Sequence, residues 1–174
     1  MKFNAAQKRA VETFDDPEFI AKIKDEDSTM VKHLNILKQI NQHGYLTTNI
    51  QAGRKMKTIY ERAYITGFML KKDAVEFIKN MNIETDKNAI IIEQNGLKIE
   101  SNFDIALTIE KKNKWEIFTH MSTSVPPSYF YSQQARLNID SSEKVVYVFC
   151  WDSKWNRNAS SKNGLFIDVL KILK

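Results

Sequence analysis

The chain has 174 residues, 43% hydrophobic and 27% charged, the balance of one globular domain with a substantial core. Five glycines and three prolines leave little room for a long linker, and the single cysteine, Cys150, excludes an internal disulfide. The net charge of +5 and pI near 9.2 permit contact with nucleic acid or an acidic surface, but the basic residues are scattered along the chain.

Residues 4–24 read as helical, with a break at Asp15-Asp16-Pro17, where proline suits a first helical position. The acidic run Asp25-Glu26-Asp27 ends in Ser28-Thr29, which is N-cap chemistry. The helix expected after it carries Met30, Leu34, Leu37 and Ile40 on one face, and Gly44 stops it in the left-handed conformation. Residues 45–50 read as a strand, 51–55 as a loop, and 58–70 as a long strand rich in β-branched and aromatic residues. Asp73 and Glu76 have capping-box spacing at the head of a helix that buries Ala74, Phe77, Ile78 and Met81.

Residues 89–93 and 97–100 flank Gln94-Asn95-Gly96, the signal of a tight hairpin. Phe103, Ile105, Leu107 and Ile109 alternate with polar or small residues, as in a half-buried strand, and residues 115–120 return from a turn. Residues 121–143 read as a polar loop holding Pro126-Pro127. Val145–Trp151 is a continuous apolar run, expected as a buried strand, and a helix with Leu165, Val169 and Leu173 closes the chain. The fold class is α/β (α+β): a mixed, largely antiparallel sheet with flanking helices. Residues 1–26 form an N-terminal helical extension and 27–174 the α/β domain. No apolar run is long enough to span a bilayer, and no secretory signal is expected at the N-terminus. The expected location is the cytoplasm, with no membrane partner.

Catalytic motifs are sparse. There is no dinucleotide-binding, P-loop, metalloprotease or CxxC pattern. His33 and His43 are expected to be structural or solvated, and Cys150, inside an apolar run, an inert core thiol. Asp104 followed by Glu110-Lys111-Lys112 has the composition of a metal-dependent nuclease site. Both carboxylates fall on one predicted strand, however, where an alternating solvent face accounts for them, so no nuclease activity is expected. The reading is a non-enzyme.

A longer pattern runs through the chain. Leu37 to Gln51, with Asn41, Gly44, Leu46, Thr47 and Asn49, resembles a run in the C-terminal regulatory domain of eukaryotic methylenetetrahydrofolate reductases. Tyr60 to Phe68 is similar to that domain's next strand and Lys72 to Ile78 to the helix after it. Trp115-Glu116-Ile117-Phe118 with Pro126-Pro127-Ser128, and Leu165 to Leu170, follow in the same order. The resemblance covers roughly residues 27–173. It implies that family's fold and a module that binds S-adenosylmethionine without doing chemistry, here without the catalytic barrel. Stand-alone relatives in large DNA viruses would match the lysine- and asparagine-rich composition and place the protein in the host cytoplasm.

The ligand-binding residues implied by the resemblance are Ser28 and Thr29 at the first helix, Thr47, Asn49 and Gln51 on the first strand, and Lys114, Trp115 and Ser128. Ile50 and Lys114 replace hydroxyls of the family. That weakens the case for adenosylmethionine and leaves a nucleoside-type or anionic small molecule as the expected partner. The alternative is a protein or nucleic-acid interaction domain that kept the fold and lost the ligand. Its motive is the interleaved aromatic and basic segment Trp151 to Arg157.

Overall fold

The computed structural model describes residues 1–54, 56–92, 104–111, 115–122 and 127–174. The elements, in chain order, are α1 (Phe3–Thr13), α2 (Pro17–Glu26), a 3-10 helix η1 (Ser28–His33), α3 (Leu34–Gln42), β1 (Leu46–Gln51), β2 (Ile59–Leu70) and α4 (Lys71–Glu84). They continue with β3 (Lys87–Ile92), β4 (Asp104–Lys111), β5 (Trp115–Ser122), α5 (Pro127–Arg136), β6 (Val145–Trp155) and α6 (Leu165–Leu173). The expected α+β class holds. The described strands form one sheet, ordered β3-β6-β2-β4-β5, with β1 also on β2 and every pairing antiparallel.

β2 is the seam of this sheet. One of its edges pairs with β6 from Arg62 to Leu70. The other is shared: β1 takes Tyr64 to Phe68, and β4 takes Ile59 to Glu61. Period-two alternation then sorts the side chains to two cores. Ala63, Ile65 and Met69 of β2, with Val146, Val148 and Cys150 of β6, meet α3, α4 and α6 on one face. Tyr64 and Phe68, with Tyr147, Phe149 and Trp151, meet Phe3 and Ala6 of α1 and Phe130 of α5 on the other. β6 is covered on both faces, which is why its sequence is a continuous apolar run.

Two anchors join helix to sheet. Gly44 ends α3 with φ 91, a conformation that costs glycine little. The chain then turns so that Tyr45, fully buried, donates its hydroxyl toward the carbonyls of Ile65 and Val148, each at 3.1 Å. Cys150 lies 3.9 Å from the same hydroxyl, and burial pushes its thiol up to about 12. A thiol so placed is unreactive at neutral pH.

Three expectations change. Residues 127–136 are not loop but α5, in which Phe130 and Gln134 are the buried side chains among residues 128–136, too few for a visible helical period. Pro127 opens it, as proline does at a first helical position. Asp73 does not cap α4. That helix starts at Lys71, directly from the extended Leu70, and Asp73 lies in the first turn, where its charge suits the helix dipole. The helix expected from residue 30 begins as a 3-10 turn and becomes α-helical at Leu34. The expected Asn95-Gly96 hairpin and the strand at 97–100 lie outside the described residues. No described helix is long and apolar enough to cross a membrane.

Candidate functional site

A cleft of about 610 Å³ opens between the N-terminal helices and β1, a volume in the range of small-molecule sites. Its helical side carries Phe14, Phe19, Ile23, Met30 and Leu37. Its sheet side is formed by the consecutive residues Thr47 to Arg54, together with Glu61.

Asn41 sets the position of β1. Its Nδ2 donates to the Leu37 carbonyl at 2.8 Å and to Thr47 Oγ1 at 3.0 Å, while its Oδ1 accepts the Thr47 N–H at 3.0 Å. A buried helix side chain thus replaces a neighbouring strand on the outer edge of β1. The register slips between Thr47 and Asn49, a bulge that re-aims Thr48. The Thr48 hydroxyl lies 3.1 Å from Thr66 Oγ1 and 2.9 Å from the Tyr147 hydroxyl, and Tyr147 and Thr66 are themselves 2.8 Å apart. This closed ring of three hydroxyls fastens the strand beneath the cleft.

The start of η1 is already occupied by its own carboxylate. Asp27 accepts the Thr29 N–H at 3.0 Å and the Thr29 hydroxyl at 2.6 Å, and those bonds hold it below its ordinary pKa. Arg54 stands between two acids, with Nη1 3.7 Å from Asp27 and Nε 3.1 Å from Glu61. Burial raises the Glu61 carboxyl, and Arg54 opposes the rise. An anion at this end would meet Asp27 and Glu61, so the helix start does not favour a negative ligand group. At another part of the rim, Arg136 of α5 donates from Nη2 to the Thr48 carbonyl at 3.0 Å.

Of the residues singled out in the sequence, Thr29, Thr47, Asn49 and Gln51 line the cleft. Thr47 keeps a hydroxyl hydrogen to donate. Asn49 is exposed. Gln51 is committed to the fold, donating to the carbonyls of Arg62 and Leu107 at 2.9 and 3.0 Å. Ile50 lines the cleft and packs on the core. Ser28 is exposed at the outer start of η1 and does not line the cleft. Ser128 is exposed near the start of α5, whose opposite end supplies Arg136 and Leu137 to the cleft. Trp115 opens β5, two strands removed from β2, and Lys114 lies outside the described residues. Asp104 and Glu110 fall on the single strand β4, as expected.

Sequence reasoning missed Arg54, Glu61 and Arg136, which share the charge of the site with Glu26, Asp27 and Lys32. His33 is structural, one of the two roles expected for it. That residue is buried beside the cleft, its Nδ1 2.6 Å from Ser160 Oγ and its ring edge-on to Phe166 at 5.6 Å. Burial lowers its pKa, Lys32 lowers it further, and Asp27 opposes both. A base that resists protonation in the folded state contributes stability that is full above the unfolded pKa of about 6.5 and is lost as pH falls through it. Thermal unfolding should therefore occur at lower temperature below about pH 6.5. His33→Asn should flatten that dependence, and an unchanged profile in the variant would remove His33 as its source.

No protein-family model matches the chain, and no curated protein matches it.

Proposed function

We propose that the protein is a non-catalytic small-molecule-binding module whose site is the cleft between the N-terminal helices and β1. The observation that carries this reading is convergence. Thr29 and Thr47 come from different elements, yet both line one cleft of about 610 Å³ with an apolar wall and a polar strand edge. A ligand with a ring and a hydroxyl-bearing portion, of nucleoside or adenosylmethionine-like type, suits such a lining. The resemblance to the reductase regulatory domain supports the same place, with binding rather than chemistry as the role.

The interaction-domain reading has less support from its own motif. Trp151 is buried in the core, Arg62 covers the Trp155 ring at 4.3 Å, and Arg157 is bound to Asp86 and Asp152 at 2.6 and 2.8 Å. These groups are engaged with their own fold.

Calorimetric titration with adenosine, adenosine monophosphate, adenosylmethionine and adenosylhomocysteine tests the proposal. At least one should bind, and Thr47→Val should weaken it about 5- to 10-fold, the worth of one hydrogen bond. Binding indifferent to Thr47→Val would place the site elsewhere.

A further inference from the structure

α2 has an apolar side but no interior. Phe19, Ile20 and Ile23 recur at helical spacing, yet none of the ten residues from Pro17 to Glu26 is buried. Its chief neighbour is the short η1. The helix is moored at its ends. Lys38 holds Asp15 at 2.6 Å, and Phe14 meets Phe19 edge-on at 5.8 Å across the corner between α1 and α2. Beyond its last turn, Asp27 is fixed to Thr29. An amphipathic helix normally hides its apolar stripe against a core. Here Phe19 and Ile23 face the cleft instead, with Leu37 and Ile50 also on its lining.

The charges around the cleft are unevenly compensated. Arg54 is flanked by Asp27 and Glu61. Arg136 meets a carbonyl and, among the described residues, no carboxylate. A guanidinium with spare N–H groups beside a strand edge is suited to a carboxylate, phosphate or sulfonate.

From these two features we propose that the occupant of the cleft is an aromatic ring system carrying one anionic group. The ring lies between the Phe19–Ile23 side of α2 and the floor formed by Leu37 and Ile50. The anion rests on Arg136, and α2 settles onto the ring when it binds. The proposal rests on the cleft being a ligand site and adds the ligand's charge and the part that moves.

Two dyes of matched shape test it: anilinonaphthalene sulfonate and its uncharged counterpart, N-phenylnaphthylamine. Fluorescence titration should show one saturable site for the sulfonate, about 10-fold tighter than for the neutral dye, the ratio expected of one charge-assisted contact. Arg136→Gln should erase that ratio. Ile23→Ser should weaken both dyes while leaving circular dichroism unchanged, because α2 buries no residue. Amide hydrogen exchange across residues 17–26 should slow when the sulfonate is bound. Equal affinity for the two dyes, or unchanged exchange in α2 with dye bound, overturns the proposal. If adenosine or its monophosphate binds in a Thr47-dependent way while α2 exchange is unmoved, the cleft remains a site and this inference fails alone. If no dye and no nucleoside binds, both readings fail.

Discussion

Replacing Lys87 with alanine should destabilise the protein by about 3–5 kcal/mol, the cost of breaking a buried ion pair from one side. The Lys87 side chain is wholly buried at the start of β3. Its ammonium bonds Asp86, the Asn163 carbonyl at 2.9 Å and Asp168 at 2.9 Å, with Asp152 3.8 Å away. Arg157 ties Asp86 to Asp152 from the other side and holds Asp86 well below the usual carboxylate range. Burial pushes the fully enclosed Asp152 the other way, and its Oδ2 has no hydrogen-bond partner. Removing the ammonium would leave Asp152 and Asp168 facing each other with less positive charge between them. Urea unfolding of Lys87→Ala, and of Lys87→Met to preserve volume, measures the loss. A loss below about 1 kcal/mol in both, the scale of an exposed pair, would show that the cluster does not hold β3, β6 and α6 together.

Gly67→Ala should be comparably severe and should also abolish ligand binding. Gly67 faces Thr47 across the β1–β2 ladder and Val148 across β2–β6. A Cβ there would lie 2.1 Å from the Leu46 carbonyl oxygen and 2.9 Å from the Thr47 Cα. The obstacle is backbone, so no rotamer change relieves it. β1 would have to lift from β2, taking with it the floor of the cleft. The expected cost is about 3 kcal/mol, the upper end for overpacking, with calorimetric binding lost even at temperatures where the variant is folded. A variant that melts with the wild type and binds normally would disprove the close approach.

The strands were legible where pattern and burial coincide. The alternation of Ile105, Leu107 and Ile109 and the apolar run at Val145–Trp151 each answer to one physical environment, a half-buried and a doubly covered strand. Helix α5 was not legible, because among residues 128–136 the buried side chains are Phe130 and Gln134, and the rest are free to be polar. The candidate site was half legible. Thr29 and Thr47 could be named only through the resemblance, which set one at a helix start and the other on a strand. Arg54, Glu61 and Arg136 could not, since what joins them is the crossing of β1, β2 and α5, and no spacing in the chain encodes a crossing. The Trp151 to Arg157 segment had the composition of a nucleic-acid contact, yet Arg157 serves an ion cluster that joins Asp152 of the same segment to Asp86, 71 residues away, to Lys87 and to Asp168 of α6.

The place of β6 in the sheet also bears on how the chain folds. β6 lies between β3 and β2, yet it is the last of the described strands in sequence, and its pairing joins Leu70 to Val145 and Arg62 to Trp155. Until residues 145–155 are made, β3 has none of the other described strands beside it and β2 lacks one edge, so an emerging chain carries unsatisfied amides and the apolar sides of both cores. Closing loops of that length before any contact repays them is slow. Folding is therefore gated by a late, long-range docking event, and the nascent chain is exposed to aggregation until the last strand slides into the middle.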